Sequence, residues 1–246
     1  MKKYCWALKA TLTLAILFLV FANKTYANVI ITSTRIIYPA SEKEVTIRLE
    51  NSGQQASLIQ AWTDKGNEAL TPDQADGPFL ITPPISRIDP NKGQSLRLIY
   101  TRDTTLNDQE SIYWLNILDV PPKPMDSENY VQVAFKTRIK IFLRPKGLLG
   151  DPIQAAKNIT WKLISSDKKI ILRGTNTSNY HVSFNEISAT TIEDKYKGSG
   201  GMIAPKSQKD FEITDKPRNY KKPTSVTYTW INDYGANETI TTPLLD

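Results

Sequence analysis

Cysteine and histidine are almost absent from this sequence of 246 residues. Cys5 is the only cysteine and lies in a segment that we expect to be removed, and His181 is the only histidine. Cysteine–histidine nucleophiles and zinc sites built from these side chains need more of them than the rest of the chain holds. Paired carboxylates stay open, because the chain has 25 acids, but none lies in a glycosidase-like context. We therefore predict no catalytic residue, no metal site and no cofactor, and interpret His181 as a packed or partly exposed strand residue.

Long apolar runs are also missing, apart from one near the start. Residues 10–22 are apolar except for two threonines, and they follow the basic residues Lys2, Lys3 and Lys9. A helix that spans a membrane needs roughly 20 apolar residues, so this run is too short. Thr25-Tyr26-Ala27 has small residues at the positions that a signal peptidase reads. We predict a cleavable secretory signal peptide over residues 1–27 and no stable insertion in a membrane.

An excess of charge of one sign disappears with this segment. The signal peptide holds four lysines and no acid, so the formal net charge falls from +6 to +2. Such a balanced chain gives no reason to expect nucleic acid as a partner. The mature chain has no cysteine and hence no disulfide, although it would be exported to an oxidising compartment. Its length suits one large domain or two domains of about 100 residues.

Short strands dominate the first half of the mature sequence. Val45–Leu49 alternates apolar and polar residues, as a half-buried strand does. Leu96–Tyr100 and Ile112–Leu118 are further short runs rich in branched and aromatic residues. Turn signals such as Asn51-Ser52-Gly53 separate the runs. The pattern shows no convincing amphipathic helix after the signal peptide, and it predicts an immunoglobulin-like β-sandwich.

One predicted strand is much longer than the others. Alternation continues from Val131 to Arg144, with Val131, Val133 and Phe135 on one side and a mostly basic row on the other. Fourteen residues would extend over roughly 45–48 Å. The basic row alone has two interpretations, because lysine and arginine often protect the exposed edge of a sheet.

A second set of strands follows a linker rich in glycine and proline at residues 144–152. Strand-like runs begin at Ile159, Lys169 and His181, and the last one that we predict is Ser225–Trp230. The segment Lys195–Gly201 (KYKGSGG) reads as a flexible loop. We predict two immunoglobulin-like domains, over residues 28–147 and 148–246.

The order and spacing of six segments resemble those of PapD-type pilus chaperones across nearly the whole mature chain. The second domain is the weaker half of the resemblance and depends on NTSNYHV at 176–182, Ile203-Ala204-Pro205 and the last of the six segments. The six are TSTRIIYPASEKEVTIRLEN at 32–51, LIQAW at 58–62, TPPISRID at 82–89, ESIYWLNILDVPP at 110–122, FKTRIKIFLRP at 135–145 and INDYG at 231–235.

The resemblance implies a periplasmic chaperone with two immunoglobulin-like domains in a boomerang arrangement. Chaperones of this family bind and cap pilus subunits by donor-strand complementation and deliver them to an outer-membrane usher. The predicted loop over about residues 121–130 is short, as in the short-loop subfamily. Self-association of the free chaperone stays open.

The resemblance also implies roles for residues of the long strand. Arg35, within TSTRIIY, and Lys140, within TRIKIF, match the paired cations that bind the C-terminal carboxylate of a subunit. Arg35 also interrupts an apolar run, where a cation on the buried side needs a partner. Val131, Val133 and Phe135 would be the side chains that enter the groove of the subunit.

Two further groups of residues match family positions. Glu110, Arg144 and Asp233 match charges that pair between the two domains. Six exposed apolar, proline and polar residues match the surface that contacts the usher, and we call them the usher surface: Leu58, Gln60, Pro83, Pro84, Val120 and Pro121.

Two other classes of protein stay open on the sequence alone. A pilus subunit or adhesin is also exported and all-β, but subunits of this system usually carry a cysteine pair and an N-terminal donor segment. Another secreted β-sandwich binding protein or a carbohydrate-active enzyme is the second alternative. A sugar-binding assay on the purified protein would separate both classes from a chaperone.

Overall fold

The computed structural model describes residues 29–102, 108–123, 130–165, 170–191, 193–213 and 221–245. The predicted signal peptide lies outside these residues. Within them, β-strands dominate, and no helix is long and apolar enough to cross a membrane.

Nine strands from the first half of the chain form two sheets. One sheet has the order β1-β3-β7-β5 and the other β2-β9-β8-β4-β6. A short 3-10 helix, Pro72–Gln74, follows β4. The strands are β1 (Val29–Ile31), β2 (Arg35–Pro39), β3 (Val45–Asn51), β4 (Ser57–Asp64), β5 (Phe79–Thr82), β6 (Ile85–Ile88), β7 (Gly93–Tyr100), β8 (Ser111–Val120) and β9 (Phe135–Arg144).

The two sheets enclose one apolar core, because alternate residues of each strand point inward. In β3, Ile47 and Leu49 are buried while the residues between and beside them are exposed. Ile139, Ile141 and Leu143 supply the inward face of β9. These contacts, together with the second sandwich described below, agree with the predicted immunoglobulin-like fold class.

The long strand predicted over Val131–Arg144 is shorter in the structure. It begins at Phe135, which pairs with Asp119 at the end of β8. The same register would place Val133 opposite Pro121, and proline has no N–H to donate to a ladder. Residues 131–134 therefore lie outside the regular strand, with Val131 89% exposed.

Eight strands from the second half of the chain follow a six-residue helix, α1 (Pro152–Lys157). The sequence pattern did not predict this helix. The Asp151 carboxylate caps it by accepting hydrogen bonds from the N–H groups of Ile153 and Gln154. The strands are β10 (Thr160–Ser165), β11 (Ile170–Asn176), β12 (Val182–Thr190), β13 (Lys195–Gly198), β14 (Gly201–Ile203), β15 (Ser207–Ile213), β16 (Ser225–Ile231) and β17 (Asn237–Pro243).

These strands form one hydrogen-bonded series that folds over itself. The order is β10-β11-β15-β13-β12-β16-β17, and β14 also pairs with β12. A single residue pair, Gly198 with Ile213, joins β13 to β15, so the sheet can bend there. Trp161 of β10 consequently packs against Tyr228 of β16 across the core, at 5.5 Å between ring centres.

Two predictions for this half were wrong. The last strand is β17, not Ser225–Trp230, and we missed it because its threonines give little apolar alternation. Lys195–Gly201 is not simply a flexible loop, because β13 and the start of β14 occupy it. The two apolar cores share no residue. The predicted boundary after Gly147 stays a prediction.

Candidate functional site

Arg35 and Lys140 lie side by side on neighbouring strands. β2 and β9 pair in parallel, and their register sets Arg35 directly opposite Lys140. Consecutive strands of a sheet are about 4.8 Å apart, so two cationic side chains project from one place on the sheet. We call this pair the carboxylate anchor.

Each anchor residue also reaches the second domain. Arg35 Nη1 donates a hydrogen bond to the carbonyl of Ile231 at 2.8 Å. Lys140 Nζ donates to Ser183 Oγ at 3.4 Å. Within the described residues neither cation forms a salt bridge, and the buried Nε of Arg35 has no hydrogen-bond partner. The anchor therefore retains donors for an external acceptor.

Electrostatics show that the free anchor lacks an anion. Burial, and then the repulsion of Arg35 and Lys209, lower the pKa of Lys140 to about 8. Burial also lowers the pKa of Arg35, although Asp233 and Glu110 partly oppose the shift. An anion bound between the two side chains would favour the charged form of both.

The anchor lines a cleft of about 340 Å³ between the two domains, which we call the interdomain cleft. The first domain contributes Trp114 and Arg138 beside the anchor. The second domain contributes the opposite wall: Asn185, Ile231, Gly235 and Asn237.

Arg144 lies between two carboxylates from different domains. Its Nε is 2.7 Å from Glu110 Oε1, and its two terminal nitrogens are 2.6 and 2.7 Å from the carboxylate oxygens of Asp233. Burial by itself would lower the pKa of Arg144, but the hydrogen bonds with Asp233 and the charge of Glu110 raise it overall. The structure thus brings together the three predicted interdomain charges.

Sequence reasoning missed His181 as a member of this network. Its Nδ1 and its backbone nitrogen are both 2.9 Å from Glu110 Oε2, and its side chain is only 5% exposed. A second interdomain pair joins Lys206 to Asp108 at 2.6 Å. Nothing in the local sequence could have identified these partners, because each pair joins residues about 70 or more positions apart.

A second charged cluster on β9 was also missed. Arg138 forms a 2.6 Å salt bridge with Asp64, whose side chain is 1% exposed, and Asn116 donates to the same carboxylate at 2.7 Å. Burial by itself would raise the pKa of Asp64, but these bonds lower it overall. Arg138 also stacks on Trp114 at 4.1 Å. The basic row of β9 is therefore held by contacts within the protein and does not simply protect an edge.

The residues from Val131 to Phe135, which we call the donor segment, are exposed. Val133 is 52% and Phe135 61% exposed. β2 pairs only with residues 140–144 of β9, so within the described residues the edge of β9 from Phe135 to Ile139 has no strand beside it on that side. This open edge ends at the anchor.

The six usher-surface residues lie around one edge of the first domain. Leu58 is opposite Val120 in the ladder, and both line a groove of about 280 Å³ with Pro121. Gln60 is opposite Ile85, next to Pro83 and Pro84. Leu58 is 49% exposed.

Comparisons with known proteins identify the family of this chain. Residues 28–149 match the family described as "Pili and flagellar-assembly chaperone, PapD N-terminal domain", and residues 154–242 match "Pili assembly chaperone PapD, C-terminal domain". The probable fimbrial chaperone YadV of Escherichia coli K12 is 38% identical over 220 residues, covering 87% of this chain and 89% of the relative. The chaperone protein FimB/FhaD of Bordetella pertussis is 37% identical over 215 residues, covering 85% of each.

Solved structures agree with this assignment. The crystal structure of the YadV chaperone has a TM-score of 0.76 at 36% identity and covers 89% of this chain and 100% of that one. The Pseudomonas aeruginosa CupB2 chaperone has a TM-score of 0.74 at 34% identity, covering 88% and 100%. The chain therefore belongs to the PapD family of pilus-assembly chaperones.

Proposed function

We propose that this protein is a periplasmic chaperone that binds and caps pilus subunits and passes them to an outer-membrane usher. The observation that carries the proposal is the geometry of β9. Its exposed apolar donor segment continues into an open strand edge, which ends at two adjacent cations without a carboxylate partner. Export depends on the predicted signal peptide over residues 1–27. Comparing the N-terminus of the periplasmic protein with Asn28 by mass spectrometry tests this step.

The anchor would bind the last carboxylate of the subunit. A carboxylate has two oxygens, so the guanidinium of Arg35 and the ammonium of Lys140 can share it. Binding there also sets the register of the subunit strand along β9. A slip of one residue would turn the side chains of the donor segment away from the subunit.

The donor segment would complete the subunit. An unfinished sandwich exposes a strand edge and an open core, and both promote aggregation. Main-chain hydrogen bonds from β9 can pair with the edge, while Val131, Val133 and Phe135 fill the open groove. The described residues place all three side chains in solvent in the free protein.

The usher surface supports the delivery step. An exposed apolar groove of this size suits a modest, transient interface. We expect Leu58→Asp combined with Val120→Asp to leave subunit binding unchanged and to stop pilus assembly. Co-purification of the subunit and electron microscopy of the cell surface measure the two effects separately.

The matched control is Leu80→Asp, on β5 of the other sheet, where the leucine is 53% exposed. It adds the same charge outside the groove and should leave assembly normal. Loss of subunit binding in the double variant, with its melting temperature unchanged, would show that this surface has another role.

The interdomain charges would fix the angle between the two domains. Arg144→Met leaves the buried Glu110 without its cation, and breaking a buried pair in this way costs about 3–5 kcal/mol; the partial exposure of Asp233 favours the lower end. We expect a lower melting temperature and a changed small-angle X-ray scattering profile.

Arg173→Met is the control for this experiment. It removes an arginine from an exposed pair with Asp210 within the second domain, where solvent screens the charges. We expect almost no change. Equal effects of the two substitutions, or an unchanged scattering profile for Arg144→Met, would contradict the role in domain orientation.

A further inference from the structure

We infer that Asn185 of the second domain hydrogen-bonds the main chain of the last residues of the subunit, beside the carboxylate anchor. The inference rests on the proposed function of Arg35 and Lys140. It adds a binding residue from the opposite wall of the interdomain cleft, which Asn185 lines.

The position of Asn185 on β12 follows from its neighbours. Ser183, two residues earlier, accepts the hydrogen bond of Lys140. Phe184 points the other way and packs against Trp161 in the core, at 5.6 Å between ring centres. Because successive side chains of a strand alternate, Ser183 and Asn185 lie on the cleft side of β12.

A β-bulge occurs at Asn185. The pairing between β12 and β16 moves from Phe184–Trp230 directly to Glu186–Thr229, which leaves Asn185 without an opposite residue. Bulges redirect a side chain and are frequent next to functional sites. Exposure of Asn185 in the cleft agrees with such a redirection.

A glycine supports the bulge from the side. A Cβ on Gly200 would lie 2.4 Å from the carbonyl oxygen of Asn185 and 2.6 Å from that of Phe184. Only glycine can approach this backbone so closely. The glycine-rich segment that reads as a loop in the sequence therefore holds the bulge in place.

The side chain of Asn185 has unused hydrogen-bonding capacity. Among the residues that the structure describes, none forms a hydrogen bond with its amide. An asparagine amide offers N–H donors and one acceptor oxygen. A peptide unit next to a terminal carboxylate presents the complementary groups, a carbonyl oxygen and an N–H.

The two walls would thus divide the recognition. The anchor binds the charge of the terminal carboxylate, and Asn185 binds the adjacent peptide unit. Because a peptide unit is the same for every residue type, this contact suits a chaperone that serves subunits with different C-terminal side chains.

The test is an NMR titration with two probes, acetate and N-acetyl-dialanine. Acetate offers only a carboxylate, whereas N-acetyl-dialanine adds peptide units. We expect the wild-type protein to bind N-acetyl-dialanine more tightly. Asn185→Ala should weaken that binding roughly threefold to tenfold, as loss of one net hydrogen bond does, and leave acetate binding unchanged. Asn185→Asp should weaken both, because it places an anion near the anchored carboxylate.

Gln208→Glu makes the same change of charge on an exposed residue of the second domain that does not line the cleft. It should bind both probes normally. If Asn185→Ala binds N-acetyl-dialanine as tightly as the wild type, the role of Asn185 is wrong. If Arg35→Ala and Lys140→Ala bind acetate normally, the anchor and the proposed function fail instead.

Discussion

Arg35→Ala and Lys140→Ala should each produce a folded protein that no longer captures pilus subunits. Hydrogen bonds to charged groups contribute about 1.5–3 kcal/mol each, so each substitution should weaken binding roughly tenfold to 150-fold. Register along β9 is lost as well, because the carboxylate defines where the subunit strand begins. Co-purification of subunits from the periplasm and counts of surface pili measure the effect.

These substitutions should not destabilise the free protein. Lys140 is charged beside Arg35 without a carboxylate partner, and its lowered pKa shows that the fold disfavours this charge. Arg97→Ala is the control, since Arg97 forms an exposed pair with Glu44 in the same domain. If both anchor variants assemble pili at the wild-type level, the assignment of the anchor is wrong.

The pKa of Lys140 adds a test that a merely structural role would not pass. A bound carboxylate favours protonated Lys140, so subunit affinity should be full below about pH 8 and fall above it. Lys140→Arg keeps its charge at high pH and should flatten this dependence. In the free protein the sign is opposite, because the folded state binds fewer protons than the unfolded chain between about pH 8 and the ordinary lysine value of 10.5. Lys140 should therefore make folding more favourable as pH rises through that window.

Val133→Asp combined with Phe135→Asp should also abolish stable capture. Each apolar side chain that enters a groove contributes about 1.5–3 kcal/mol when fully buried. Placing a carboxylate there adds the cost of removing a charge from water, several kcal/mol for each ion. Both side chains are mostly exposed in the free protein, so its melting temperature should stay unchanged while subunits aggregate or are degraded.

Ala134→Asp is a control from within the donor segment. Ala134 is exposed too, but alternation would turn it away from the groove of the subunit. It should retain most of the capture. Equal loss with Ala134→Asp would show that charge on this segment matters regardless of direction, and persistent capture by the double variant would exclude the segment as the donor.

Properties that depend on neighbouring residues could be predicted from the sequence. Alternation with period two gave the inward face of β9, the apolar side chains of the donor segment and most strands of the first domain. The family segments located the anchor and the three interdomain charges, because each lies within a quoted segment. Where alternation was weak or a backbone donor was missing, prediction failed: β17 is rich in threonine, and the prolines after β8 end the ladder before Val133.

Contacts between distant residues were decided only by the tertiary structure. The parallel pairing of β2 with β9 makes Arg35 and Lys140 neighbours, although 104 positions separate them and neither sequence segment shows which strand lies beside it. The contact of His181 with Glu110 depends on how the two domains meet, as does the wall that Asn185 adds to the cleft. Local patterns specify which face of a strand is buried, because side chains alternate along it. Pairing between distant strands and the packing of one domain on another depend on the whole fold, so the complete cleft exists only once both sandwiches have formed.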